Sequence, residues 1–102
     1  MYIAMNRFKV ARGSEEEFTE IWRKRDRRLS EVEGFVEFKM LRGPEGEGHT
    51  LFASHTIWRS YDDFVNWTRS QHFRDAHKNA GDHKPLYLGP PQFEGFEVVL
   101  EE

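Results

Sequence analysis

Cysteine is absent from this chain of 102 residues, which excludes a disulfide, a thiolate metal site and a thiol nucleophile. That absence suits a reducing compartment. Long apolar runs are missing too: no stretch approaches membrane-spanning length, and MYIAMNRFKV lacks the basic region and apolar run of a signal peptide. The expectation is a cytoplasmic protein with no membrane partner. Positive charge is not in surplus either. The formal net charge is −3, which gives no support to a nucleic-acid partner, since that would want a basic face with interleaved aromatics. HExxH, GxGxxG, GxSxG and the phosphate-binding glycine loop are all missing, and no two histidines stand at i, i+4. Glu15 to Glu17 and Asp62-Asp63 are better explained as helix starts than as catalytic carboxylates. The one basic run, Arg23 to Arg28, falls where a helix should end. There it is either a solvated terminus that complements the helix dipole or a rim that attracts an anionic ligand.

What the chain does have is aromatic bulk: Trp, Tyr and Phe make up 15% of it. In a single domain of this size, large flat side chains either fill the core or line a cavity shaped for a flat ligand. Met1 to Val10 reads as a strand with Tyr2, Ala4, Asn6, Phe8 and Val10 on one face. Ser14-Glu15-Glu16-Glu17 reads as a capping box opening a helix, on which Phe18, Ile21, Trp22, Arg25 and Leu29 follow at helical spacing. That helix should end near residues 26 to 30. Phe35 to Arg42 forms a second strand, Gly43 to Gly48 a flexible hairpin turn and His49 to Trp58 a third strand.

Ser60-Tyr61-Asp62-Asp63-Phe64 starts a second helix and echoes Ser14 to Phe18, with Asp63 making it the weaker box of the two. Its pattern runs towards Ala80 with a bend near Ser70. Gly81 to Pro91 reads as a loop, and Gln92 to Glu101 as a last strand with Phe96, Val98 and Leu100 on its buried face. The order β-α-β-β-α-β predicts an α+β ferredoxin-like fold, an antiparallel sheet with both helices on one face. Leu51, Ala53, His55 and Ile57 are apolar or aromatic on the parity opposite Phe52 and Trp58, and Ile3 and Met5 lie opposite Tyr2, Ala4 and Phe8. Helices cover only one face, so the simplest cover for the other is the sheet of a second copy, a homodimer.

Three residues are out of place as simple core. Phe73, Ala76, His77 and Ala80 form one helical stripe, so His77 points inward among small residues. By spacing alone it is either a hydrogen-bonded core histidine or a ligand with one ring nitrogen free for a metal. Trp67 flanks the stripe of Tyr61, Phe64, Val65 and Thr68, either as core covering the sheet's end or as the wall of a site. Asn6 is an amide in an apolar row, where each unsatisfied group costs roughly 1–3 kcal/mol. It bonds either to backbone or to a ligand.

Asn6, Trp67 and His77 together resemble the Asn/Trp/His triad of the IsdG-type heme-degrading monooxygenases of the antibiotic biosynthesis monooxygenase superfamily. The likeness spans nearly the whole chain: MNRFKV, the helix start SEEEF, EGFVEFKMLRG, the passage from HTIW to SYDDFVNW, the pair Ala76-His77 and the closing FEVVL. It implies a dimeric α+β barrel with one site per protomer between helices and sheet. Heme would be both substrate and cofactor, opened with O2 and electrons from a reductase or ascorbate, with release of iron. His77 would be the axial ligand of the heme iron. Asn6 would hydrogen-bond the distal oxygen species and steer it to a meso carbon, and Trp67 would press the macrocycle out of plane. Phe73, on the stripe of His77, would join Asn6, Trp67 and His77 in binding the heme. Other members of the superfamily lack the triad and act without cofactor on small aromatic or quinol substrates. A further alternative is a protein that binds heme without turnover.

Overall fold

The computed structural model describes residues 1–25, 28–71, 73–74 and 86–102. Four strands, β1 (Tyr2–Ala11), β2 (Phe35–Gly46), β3 (His49–Trp58) and β4 (Gln92–Glu97), form one antiparallel sheet in the order β2-β3-β1-β4. Helices α1 (Glu15–Lys24) and α2 (Tyr61–Thr68) both pack on one side of it. The α+β ferredoxin-like arrangement read from the element order is the one observed. Among the described residues no helix is long and apolar enough to cross a membrane.

Alternation sets which side of each strand is buried. Tyr2, Ala4, Phe8 and Val10 of β1 and Thr50, Phe52, Ser54 and Trp58 of β3 are buried under the helices, as period two requires. The register pairs Tyr2 with Trp58, Ala4 with Thr56, Asn6 with Ser54, Phe8 with Phe52 and Val10 with Thr50. Under α1 one cluster gathers Phe8, Val10, Phe18, Phe52 and Leu86. Under α2 a second gathers Tyr2, Ala4, Leu29 and Trp58, with Phe64 and Trp67 against it. Each fully buried aromatic or aliphatic side chain stabilises the fold by about 1.5–3 kcal/mol.

Several local expectations are corrected. Ser14 makes no side-chain cap; the start of α1 is tied down instead by Glu15, which accepts from the Gly13 N–H and from the Thr50 hydroxyl. These bonds, the Thr50 bond foremost, hold the Glu15 carboxyl below the ordinary glutamate range. Ser60, expected to head the weaker box, is the one whose side chain caps its helix: it accepts from the Asp63 N–H and its hydroxyl donates to the Asp63 carboxylate. Gly34 at φ +85° lies so close beneath Asp63 that a Cβ there would collide with the capping carboxylate. The α1 helix stops at Lys24 because Arg25 turns extended, and Leu29 reaches the core from a separate 3-10 turn, Leu29–Glu31.

The glycine-rich hairpin is strand as far as Gly46. An irregularity between Arg42 and Glu45 accommodates Pro44, which has no N–H to donate, and only Glu47 and Gly48 form the turn. Within the stretch expected to be loop, Tyr87 bridges to Val10 and the Leu88 N–H reaches the Lys9 carbonyl. Finally β4 ends at Glu97, and its pairing of Phe93 with Asn6 and Gly95 with Ala4 puts Phe96 on the side away from the helices. Phe96 and Leu100 are exposed rather than buried.

Candidate functional site

Among the described residues the buried side chains fall into two separate clusters, joined at their edge by the stacked rings of Trp22 and Phe38. Large side chains occupy the ends of the helix-facing side of the sheet, Tyr2 and Trp58 at one end and Phe8 and Phe52 at the other. Between them stand Ala4, Thr56, Asn6 and Ser54, all small or polar. Short side chains on the floor with helices held up by bulky neighbours leave a hollow, a cavity of about 470 Å³. This is within the roughly 300–1,000 Å³ range of small-molecule and cofactor sites. Its floor is Ala4, Asn6, Ser54 and Thr56, and its walls are mainly flat rings, among them Trp22, Phe38, Trp67 and Phe93.

Of the residues singled out from the sequence, Asn6, Trp67 and Phe73 all line this one cavity. His77 lies outside the described residues. Trp67 is the last aromatic of α2, held by Trp58 at 5.2 Å and 35° and by Phe73, T-shaped to it at 4.8 Å and 86°. Those contacts on two sides fix the plane of its indole. Phe73 is placed by a break in the helix at Ser70, whose hydroxyl donates to the Trp67 carbonyl and accepts from the Phe73 N–H. The bend expected near Ser70 is therefore what turns Phe73 against Trp67.

Asn6 sits in the middle of β1, opposite Ser54 on β3 and Phe93 on β4. Its carboxamide makes no side-chain hydrogen bond among the described residues. Backbone pairing, one of the two answers open for it, is not what the structure gives. The donors and acceptor of the amide are left for whatever enters the cavity.

Two further features of the site are settled only by the structure. Arg25, read from the sequence either as part of a solvated helix end or as part of a rim for an anionic ligand, lines the cavity with its guanidinium 4.3 Å from the ring centre of Trp22. Burial pulls its pKa below the ordinary arginine value, partly countered by the Tyr87 hydroxyl. The signal is its place on the stripe of Phe18, Ile21 and Trp22. Ser54 falls on the correct strand face by alternation, but its position beside Asn6 depends on strand register, which alternation alone does not supply. Among the described residues no three His, Cys, Asp or Glu side chains group in a way that could hold a metal ion. The site is a flat-walled, mostly apolar slot with an amide on its floor and a cation on its rim.

Residues 1–79 match the family model described as antibiotic biosynthesis monooxygenase. A heme-degrading monooxygenase from Halalkalibacterium halodurans is 34% identical over 98% of this chain and 84% of its own length. A staphylobilin-producing heme oxygenase from Staphylococcus saprophyticus is 28% identical over 84% of this chain and 86% of its own. Among solved structures, MhuD from Mycobacterium tuberculosis with two hemes bound in its active site is 27% identical, covers 100% of this chain and 99% of its own, and superposes with a TM-score of 0.75. The sequence resemblance, the order of the elements and the place of the hollow thus agree: the chain belongs to the antibiotic biosynthesis monooxygenase family and is of the IsdG type.

Proposed function

We propose that this protein is a heme-degrading monooxygenase: it binds heme between sheet and helices and opens the porphyrin ring with O2 and electrons from an external donor, releasing iron. The observation that carries the reading is the unpartnered Asn6 amide on the floor of an aromatic-walled cavity of about 470 Å³. The residues suit the group. Flat rings at Trp22, Phe38 and Trp67 offer faces to a planar macrocycle, and the Arg25 guanidinium offers a cation to its carboxylates. The relatives named above support the choice of ligand.

When bound, heme would supply the iron at which O2 is reduced and the carbon skeleton that is oxidised. His77 would hold the heme iron through one imidazole nitrogen. The Asn6 carboxamide can donate a hydrogen bond to an oxygen atom on the sheet side of the site, orienting it without supplying a proton of its own. Trp67 is braced by Trp58 and Phe73, so it resists displacement and presses on a ligand seated against it. The apolar walls exclude water and strengthen each of these polar contacts.

The test is a hemin titration followed by ascorbate under air. The expected outcome is a Soret band that saturates, then bleaches with release of free iron, and His77→Ala should lose the histidine-ligated spectrum while keeping its far-UV circular dichroism. A band that forms but survives reduction would leave a heme-binding protein without turnover. No band at all would favour the cofactor-free chemistry of other family members.

We further propose a homodimer formed by the sheet faces that the helices leave bare. Ile3, Met5, Leu51 and Ile57 on that side are half-buried, Leu41 and Phe96 are exposed, and the buried Nδ1 of His55 has no hydrogen-bond partner among the described residues. Sedimentation equilibrium should give twice the mass of the 12.2 kDa chain; a monomer at micromolar concentration would contradict it.

A further inference from the structure

Ser54 faces the cavity directly across from Asn6, and it is 5% exposed. Directly opposed residues of an antiparallel pair have Cβ atoms roughly 4.5–5.5 Å apart, close enough for both side chains to reach a single atom between them. The Ser54 hydroxyl, like the Asn6 carboxamide, makes no side-chain hydrogen bond among the described residues. A central strand favours β-branched or aromatic residues, so serine gives up packing that valine would supply in the same pleat, and its hydroxyl is left open to the cavity. Its neighbours along the same face of β3, Phe52 and Trp58, show that bulk is tolerated nearby.

We infer that Ser54 is a second ligand-binding residue of the site, its hydroxyl joining the Asn6 carboxamide in donating hydrogen bonds to one oxygen atom or small anion held on the sheet side of the cavity. Two donors from adjacent strands define a point in space better than one, because the rigid ladder between β1 and β3 fixes their separation. Ser54 would therefore decide where the ligand atom sits as well as how tightly it is held. Thr56, one row further along, faces the same cavity beside Ala4, which contributes no polar side-chain atom; the paired donors are peculiar to the Asn6–Ser54 row.

This inference rests on the heme reading, in which Asn6 faces the open coordination position. The test is the affinity of the ferric hemin complex for cyanide, an anionic diatomic probe that reads hydrogen-bond donors at that position and does not depend on turnover. Relative to wild type, Ser54→Ala should weaken cyanide binding about tenfold, the scale of one hydrogen bond to a charged acceptor, while Ser54→Thr, which keeps the hydroxyl, should stay within about threefold. Should Ser54→Ala fail to fold, the near-isosteric Ser54→Cys, a weak donor, should show the same loss. Equal cyanide affinity in wild type and the hydroxyl-free variants, all binding hemin, would overturn the role of Ser54 and leave the heme reading intact. A wild type that gives no Soret band would overturn both.

Discussion

The ends and the middle of one sheet face are built from the same two strands, yet they do opposite things. At the ends, the rows Tyr2–Trp58 and Phe8–Phe52 are closed by helix residues Phe64 and Phe18, with ring centres 5.2 Å apart for Tyr2 and Phe64 and 5.0 Å for Phe18 and Phe52. In the middle, the rows Ala4–Thr56 and Asn6–Ser54 carry nothing large enough to reach a helix. The difference shows that a binding site in a small domain can be made by omission. Bulk at both ends props the helices away from the sheet, and four short side chains keep the space beneath them open. Stability is concentrated at the ends, and the capacity to bind lies where close packing has been given up.

Substitutions that exchange the characters of the two regions test the contrast. Trp58 is fully buried at one packed end, so Trp58→Ala should lower unfolding stability by about 3–5 kcal/mol, measured by urea denaturation. A loss no larger than that of a surface substitution would mean that this end is not tightly packed. In the middle the outcome should be the reverse. Thr56→Phe places a ring in the hollow from a strand position that suits aromatics, and the void should absorb it, leaving stability within about 1 kcal/mol of wild type. A loss on the scale of Trp58→Ala would show that the middle is already full.

Much of this contrast is legible in the sequence, because alternation along β1 and β3 is enough to sort their side chains between two faces. Asn6 stands out there as an amide in an apolar row, and Trp67 as a bulky ring beside the stripe of α2. What is not legible depends on register. The parity of Phe96, Val98 and Leu100 looks like a buried face, but β4 meets β1 with Phe93 opposite Asn6 and Gly95 opposite Ala4. Gly95 has to be small there, since a Cβ would strike the Tyr2 hydroxyl. The apolar parity consequently falls on the side that the helices leave bare. Ser54 is hidden for the same reason, and the sequence leaves the basic run at Arg23 to Arg28 with two readings, helix terminus or rim, of which the cavity lining selects the rim for Arg25.

The region read least completely from sequence, the space between the two clusters, is also the one on which function depends. The most direct measurement is a parallel hemin titration of wild type and Thr56→Phe, followed at the Soret band on samples of matched thermal stability. Wild type should saturate with a histidine-ligated spectrum, and the filled variant should give none. Equal hemin binding by both proteins would place the ligand elsewhere and contradict a site made by the gap between the two clusters.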